Sequence, residues 1–327
     1  MTTTQSTGKP QISIIGSLNI DFVTATPPLS RRRRNSHCNF PHCLRWRKRR
    51  MIGAVGAEDP YYGSLLKPAL ETSGVNTASI EQSTVAQTGS ATIIVEEAIG
   101  GENRILVVPG ANHAGLLSDA ESIIATLKAQ SSFPDIIVLQ GEIPRSTTLA
   151  LLEYFNRSTE STKVVFNPAP VFPEGIPLPA LNGTSVLIMN ETEVVQMARS
   201  IDGLPVGDAV EQDDLRPEEL APRFHERAGV EIVLITLGAK GVYFSTKTGR
   251  TGTVAGVKVA KVLDTTAAGD TFVGYFATAV ARFFATGKTL EAFDEEIEGA
   301  VSKANSAAAM CVQRRGAMQS IPFAYDL

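Results

Sequence analysis

Short apolar runs alternate along the chain with stretches in which apolar residues recur every three or four positions. Runs of four or five mainly apolar residues, such as Ile12–Ile15, Ile136–Leu139 and Ile232–Thr236, are typical of buried strands. Amphipathic stretches at about 116–129 and 146–156 predict helices between such runs. Because strands that alternate with helices form mostly parallel sheets covered on both faces, we predict a three-layer α/β/α fold.

A second pattern interrupts this alternation. Residues 87–97 alternate between apolar and polar positions, residues 103–109 are almost continuously apolar, and Gly100-Gly101 lies between them. These features predict a β-hairpin. Residues 61–81 are interpreted as an amphipathic helix and a Ser-Gly turn, and the Ala-rich residues 289–310 as helical.

Length and composition are those of a globular protein without a membrane span. The chain has 327 residues, 43% hydrophobic and 20% charged, which suits a single α/β domain. No apolar run reaches the length needed to cross a bilayer. Three cysteines offer no disulfide framework, so we expect a reducing, cytoplasmic location and no membrane partner.

One segment differs from the rest of the chain in charge. Residues 31–50 carry nine of the 30 basic residues and no acid, whereas the remainder holds 21 basic and 34 acidic residues, a net charge of −13. The segment shows no strand alternation and no apolar helical face, so we expect a solvated, disordered loop. Such an interruption is typical of a shifted reading frame or a mis-spliced gene.

Two other interpretations of this segment are weak. The pairs His37-Cys38 and His42-Cys43 could suggest a zinc site, but their spacing does not match the usual ligand patterns. The basic runs could act as a nuclear signal, which adds the nucleus as an alternative location. They could also bind nucleic acid, but only through phosphate contacts, so we expect no specific nucleic-acid partner.

Candidate chemistry is concentrated in residues 262–274. Two acids, Asp264 and Asp270, are separated by small residues, and an apolar run at helical spacing predicts a helix that begins at about Gly269. A helix beginning leaves N–H groups unpaired and suits an anion, while Asp270 there could accept a proton. The same pattern also fits a helix with an ordinary Asp cap. The spacing alone does not decide between these interpretations.

Polar residues follow two of the predicted strands. Asn19 and Asp21 come after Ile12–Ile15, and Glu142 follows Ile136–Leu139. In open α/β sheets ligands bind beyond the carboxyl ends of strands, so these side chains could face a polyol. An Asx-rich turn and a carboxylate at a helix N-terminus are the corresponding structural interpretations.

Several motifs in order resemble the ribokinase family of carbohydrate kinases. They are GSLNID from Gly16, NETE from Asn190, TLGAKG from Thr236, DTTAAGDTFVG from Asp264 and RRGAMQS from Arg314. The resemblance covers residues 11–23 and 51–323. The family has a lid strand and a Gly-Gly-Lys-Gly-Ala-Asn loop where this chain has residues 24–50, so we expect an incomplete lid. The chain also lacks the Walker-type phosphate loop.

The resemblance implies ATP-dependent phosphorylation of D-ribose at its primary hydroxyl. It implies that Asp270 is the general base and that the backbone of Ala267, Ala268 and Gly269 forms an anion hole. The implied sugar ligands are Asn19, Asp21, Glu142 and Asp270. The implied ATP ligands are Asn190, Thr236, Leu237, Gly238, Ala239, Lys240, Gly241, Gly269, Asp270 and Asn305.

It implies two cations as well. Magnesium would accompany ATP, with Glu193 holding its hydration shell. Potassium would activate the enzyme from a cage built by Asp264, Thr266, Cys311, Arg314, Gly316 and Ser320.

The resemblance further implies one kinase domain over residues 1–327, with lid elements at about 22–50 and 88–109, and a homodimer if the lid is intact. Two alternatives stay open: a kinase for another sugar or a nucleoside, and an inactive remnant that binds nucleotide only.

Overall fold

The computed structural model describes residues 10–26, 33–38, 49–96, 102–158, 161–206 and 215–327. Its strands are β1 (Ile12–Ile15), β2 (Leu18–Thr26), β3 (Arg33–Cys38), β4 (Arg49–Gly56), β5 (Val75–Ser83), β6 (Gly89–Glu96), β7 (Glu102–Val108), β8 (Ile136–Leu139), β9 (Lys163–Phe166), β10 (Val186–Asn190), β11 (Ile232–Thr236), β12 (Gly241–Thr246) and β13 (Thr251–Ala255).

The helices are α1 (Lys67–Thr72), α2 (Ala120–Lys128), α3 (Arg145–Arg157), α4 (Leu178–Leu181), α5 (Glu191–Ile201), α6 (Pro217–Ala228), α7 (Ala268–Phe284), α8 (Leu290–Phe293) and α9 (Ile297–Cys311). A π-helical segment, Tyr62–Leu66, leads directly into α1. None of the helices in the described ranges is both long enough and apolar enough to cross a membrane.

The main sheet has nine strands in the order β13-β12-β11-β10-β9-β8-β1-β4-β5. Every pairing in it is parallel except those of β12 with β11 and with β13, so β12 alone runs opposite to the other strands. Side chains alternate between two cores: Ile136 and Val138 pack with α7 and α9, while Ile137 and Leu139 pack with α2, α3 and α5. Apolar side chains on both faces explain why the strand runs are continuous rather than alternating. The predicted three-layer α/β/α fold is confirmed.

A second sheet of four strands, in the order β3-β2-β6-β7, stands beside the main one and is called the lid sheet here. Strands β6 and β7 pair as the predicted antiparallel hairpin. Strand β3 pairs antiparallel with β2, with six matched positions from Leu18↔Cys38 to Val23↔Arg33.

The prediction of a disordered loop across residues 31–50 is therefore wrong for residues 33–38, and also for residues 49–50, which begin β4. A strand needs main-chain donors and acceptors along its neighbour, and β2 offers these whatever side chains β3 carries. Residues 27–32 and 39–48, which include His42 and Cys43, lie outside the described residues.

Two further differences concern the region after this segment. Strand β4 begins at Arg49, two residues before the part of the chain that resembles the family resumes at Met51. The Arg49 side chain is buried and donates to the carbonyl of Ser73. The predicted Ser-Gly turn is present at Ser73-Gly74, but the residues after it form β5, which the sequence did not predict. The buried positions of β5 alternate only imperfectly, so they give no clear strand period.

Near the C-terminus, the predicted helix over residues 289–310 is divided into α8 and α9.

The backbone at the start of α7 is unusual. Ala267, the residue that precedes the helix, has φ 63° and ψ 8°, and is the only non-glycine residue with positive φ among those described. For an L-residue this left-handed conformation costs about 1–2 kcal/mol relative to the right-handed one. Ala267 is buried, so the surrounding structure holds it there.

We expect Ala267→Gly to raise the free energy of unfolding by up to about 1 kcal/mol. Glycine removes the left-handed strain, and the greater entropy of its unfolded chain offsets part of that gain. The matched control is Ala279→Gly, in the right-handed interior of α7, which should lower stability by about 1 kcal/mol. Urea unfolding of both variants measures the difference. Equal losses in the two variants would show that Ala267 is unstrained.

Candidate active site

The ends of β1 and β8 carry a hydrogen-bonded group of polar side chains. The Ser17 hydroxyl donates to the Glu142 carboxylate, and the Asn19 amide nitrogen lies 3.3 Å from both Ser17 Oγ and Glu142 Oε2. The main-chain N–H of Glu142 donates to Oε1 of the Gln140 side chain at 2.9 Å. The two strands run in register, with Ile15 opposite Leu139, so the residues that follow them meet. The predicted Asn19 and Glu142 are thus brought together.

Asp21 lies on the same lid strand, two residues beyond Asn19. Alternation along β2 places both residues on one side of the strand, and Asp21 is 3% exposed. In the parallel pairing of β2 with β6, Asn19 lies opposite Gly89 and Asp21 opposite Ala91. Asp21 therefore belongs to the root of the lid sheet, beside the Asn19 group.

The turn before α7 is organised around the Asp264 carboxylate. Asp264 Oδ1 accepts the N–H of Thr266 and Oδ2 accepts the N–H of Gly316, each at 3.0 Å. One carboxylate thus joins the turn to the C-terminal loop. The N–H of Ala268 donates to the carbonyl of Thr265 at 3.2 Å, so this member of the predicted anion hole already has a partner.

Glu193 closes a capping box at the start of α5. Its carboxylate accepts from the Asn190 N–H at 2.9 Å, and its own N–H donates to Asn190 Oδ1 at 2.8 Å. Burial raises the pKa of Glu193 to about 7, the bonds from Asn190 and Asn167 oppose that rise, and the negative charge of Asp270 adds to it. The carboxylates of Glu193 and Asp270 thus influence each other across a small cavity.

Two adjoining cavities occupy this edge of the main sheet. The smaller, of about 140 Å³, is lined by Asp270, Glu193, Asn190, Asn167 and the backbone at Ala267 and Gly269, among others. The larger, of about 410 Å³, has mostly apolar walls. Its lining includes Val242, Val257, Val259, Val262, Phe272, Ala308 and Val312. Thr236 and Gly269 line both cavities, so the two are contiguous.

The turn after β11 borders the larger cavity. Gly238, Ala239 and Gly241 line it, whereas Leu237 packs into the core and Lys240 is exposed. Gly241 has φ 108°, and a side chain there would collide with the Val254 carbonyl, so only glycine fits. Asn305 reaches the cavity from α9 and donates to the Ala255 carbonyl at 2.9 Å.

The residues predicted to cage a potassium ion lie together, with one exception. Cys311 Sγ is 3.0 Å from Ser320 Oγ and 3.6 Å from the Thr266 carbonyl oxygen, and both side chains are buried. Burial raises the pKa of the Cys311 thiol, which keeps it protonated. Arg314 instead pairs with Asp326 at 3.1 Å, so only its main chain could face the cage.

Ser17, Gln140 and Asn167 also lie at the site, although none of them is among the residues predicted to bind a ligand. Ser17 lies within the GSLNID motif, but the motif did not single it out. Asn167 donates to the Ile188 carbonyl at 2.9 Å and lies 3.4 Å from Glu193 Oε2. Each of the three directly follows a buried strand or is within two residues of its end. The sequence signal that identifies all three residues is their position at the carboxyl end of a buried strand.

Comparison with known proteins identifies the family of the chain. Residues 34–324 match the model of the pfkB family of carbohydrate kinases. The ribokinase of Schizosaccharomyces pombe is 31% identical over 272 residues, which cover 83% of this chain and 76% of the relative. The Thermotoga maritima ribokinase structure is 31% identical, with a TM-score of 0.72 and 96% of both chains covered.

The structure of the Arabidopsis thaliana ribokinase complexed with ribose and ATP is 25% identical, with a TM-score of 0.72 and coverage of 97% of this chain and 96% of the other. The family match spans most of this chain, and its curated relative exceeds 30% identity over more than four-fifths of it. This chain therefore belongs to the pfkB family of carbohydrate kinases.

Proposed function

We propose that this protein transfers the γ-phosphoryl group of ATP to the primary hydroxyl of D-ribose, giving ribose 5-phosphate. The observation that carries the proposal is the position of Asp270, on a small cavity contiguous with a larger apolar one. The larger cavity suits the adenine ring of ATP, and the smaller one suits the phosphates of the same nucleotide. The relatives named ribokinase, one of them complexed with ribose and ATP, support the choice of sugar.

Asp270 is the proposed general base. It lies in the first turn of α7, where the helix dipole favours negative charge on the phosphoryl group. As the ribose hydroxyl attacks the γ-phosphorus, its proton passes to the Asp270 carboxylate and the bond from phosphorus to the ADP oxygen breaks. The N–H groups of Ala267 and Gly269 would then face the transferring phosphoryl group. The N–H of Ala268 would give up its bond to the Thr265 carbonyl and donate to the same group.

Glu193 and Asn190 fit a site for magnesium brought in by ATP. Glu193 is a partly buried carboxylate whose charge is opposed by Asp270, and a divalent cation would relieve both the burial and the repulsion. Oxygen ligands of this kind suit magnesium, which usually keeps several of its waters. Bound there, the ion would neutralise charge on the nucleotide phosphates.

Asp264, Thr266, the Cys311–Gly316 loop and Ser320 fit a monovalent cation. Carboxylate, carbonyl and hydroxyl oxygens suit a hard cation, and the Asp264 carboxylate already draws this loop toward the anion hole. Homodimer formation and a cytoplasmic location, with the nucleus as the alternative, stay predictions.

The first prediction tests the sugar and the nucleotide separately. A non-hydrolysable ATP analogue should bind measurably in calorimetric titration, because the cavity residues are in place. D-ribose should be phosphorylated slowly, because residues 24–50 lack the glycine loop, and orientation of a reactant accounts for about 7–11 kcal/mol of barrier. D-fructose and adenosine are the controls for the alternative kinases. ATP binding without transfer to any acceptor would instead favour the inactive remnant.

The second prediction concerns Asp270→Asn. Transfer of radiolabelled γ-phosphate to ribose should fall by about 10²–10⁴-fold, the usual contribution of a general base. Affinity for the ATP analogue should stay within a few-fold, because the substitution preserves the shape of the side chain. Transfer that stays within tenfold of the parent rate would remove Asp270 as the base.

The third prediction concerns Glu193→Gln and pH. The folded-state pKa of about 7 lies above the ordinary value of 4.5, so this group contributes stability that is present below about pH 4.5 and lost as pH rises through 7. Glutamine can keep the capping box but cannot titrate. Relative to the variant, the parent should lose about 1–3 kcal/mol of unfolding free energy between pH 5 and pH 8. Parallel stability curves in urea would contradict this.

The fourth prediction concerns the monovalent cation. The thermal midpoint and the transfer rate should both rise when potassium replaces tetramethylammonium at constant ionic strength, because the cage offers carboxylate, carbonyl and hydroxyl oxygens to a compact cation. Asp264→Asn should abolish both responses. A parent protein that behaves identically in the two salts would exclude the site.

A further inference from the structure

We propose that Asn112 is the positioning residue that sets the orientation of the Asn19 amide, and through it the donor that the sugar site presents. Asn112 lies just beyond β7, in a 3-10 turn, Gly110–His113, and its side chain is 1% exposed. Its part in binding sugar rests on the proposed function. Its effect on the Asn19 amide does not.

The side-chain amide of Asn112 pairs with the main chain of Leu18, as the main chain of a neighbouring strand would. Its Oδ1 accepts the Leu18 N–H at 2.9 Å, and its Nδ2 donates to the Leu18 carbonyl at 3.1 Å. The second hydrogen on Nδ2 reaches Asn19 Oδ1 at 2.8 Å. All three bonds are buried, so each contributes more than it would in water. Asn112 therefore has no freedom to rotate its amide.

The consequence falls on Asn19. An amide oxygen can accept from Asn112 whereas an amide nitrogen cannot, so Asn19 must turn Oδ1 toward Asn112. Its Nδ2 is then directed to Ser17 Oγ and Glu142 Oε2, both at 3.3 Å. A reversed Asn19 would place an oxygen against the Glu142 carboxylate. Asn112 thereby ensures that a donor and a carboxylate acceptor stand side by side, a pair suited to neighbouring hydroxyls of a sugar.

Two glycines make room for this arrangement. A side chain at Gly89, opposite Asn19 on β6, would collide with both Asn112 Nδ2 and Asn19 Oδ1. Gly110 has φ 54°, and a side chain there would meet the Gln87 carbonyl, which accepts the Ala111 N–H at 2.7 Å. The turn that carries Asn112 is thus tied to the start of β6. Asn112 joins the 89–108 hairpin of the lid sheet to the sugar residues of β2.

The test uses the full chain labelled with ¹⁵N-asparagine. In Asn112→Asp a carboxylate faces Asn19 Oδ1, so Asn19 should reverse and its side-chain amide resonances, identified by their loss in Asn19→Ala, should shift. The matched control is Asn156→Asp, which removes an amide that donates to Ala180 and Thr184 between α3 and α4. That variant should leave the Asn19 resonances in place.

Calorimetric titration supplies the second readout. Affinity for D-ribose should fall at least tenfold in Asn112→Asp and less than twofold in Asn156→Asp, with ATP-analogue affinity within twofold in both. In an Asn19→Ala background, Asn112→Asp should have no further effect on ribose affinity, because the two residues act through one contact.

Asn19 resonances that do not move in Asn112→Asp would overturn the inference, as would additive losses of ribose affinity. A parent that binds no ribose would contradict the proposed function, and the Asn19 resonances would still decide the role of Asn112. Should the variant not fold, hydrogen exchange in the parent decides. Slow exchange of both Asn112 amide protons supports the inference, and fast exchange refutes it.

Discussion

The site depends on one constraint, that parallel strands in register end at the same edge of the sheet. Side chains join three pairs of neighbouring strand ends, whereas main-chain bonds such as Asn167 N–H to the Leu139 carbonyl join β8 to β9. Ser17 bonds to Glu142 from β1 to β8, Asn167 bonds to the Ile188 carbonyl from β9 to β10, and Thr236 lies 3.5 Å from the Met189 carbonyl. These bonds satisfy main-chain and side-chain groups that the sheet leaves open. They also place polar side chains at this edge of the sheet, where Asn167 and Thr236 line the smaller cavity.

Helix α7 serves the core and the chemistry at once. Phe276 is fully buried and packs against Phe272 and Phe293, which fixes the helix on the sheet. The N-terminus of the helix is held independently by Asp264, through its bonds to Thr266 and Gly316. Ala267 lies between the Asp264 turn and the packed part of α7, and it has a left-handed backbone conformation. A strained residue between two fixed points is typical of sites where backbone N–H groups must keep their direction.

The sequence predicted the layers of the fold because its strand runs are buried on both faces and leave little ambiguity. It marked candidate site residues where a motif or a strand end singles them out, as with Glu142 after β8 and the NETE motif of Asn190 and Glu193. It did not predict partners that only the tertiary fold brings together, such as Asn112 and Asn19, which are 93 residues apart in the sequence. The sequence also did not predict β5, because the apolar positions of this strand do not alternate regularly.

Residues 24–50 illustrate that a strand and a ligand-binding loop place different requirements on the sequence. Strand β3 is set by main-chain bonds along β2, so an arginine-rich sequence can complete the lid sheet. A loop that wraps a sugar needs glycine where the backbone turns sharply or approaches the ligand, and residues 27–48 contain none. The sheet can therefore persist where the loop cannot. Because Asn112 reaches Asn19 from the other hairpin, the polar residues at the root of the lid sheet keep their arrangement independently of this segment.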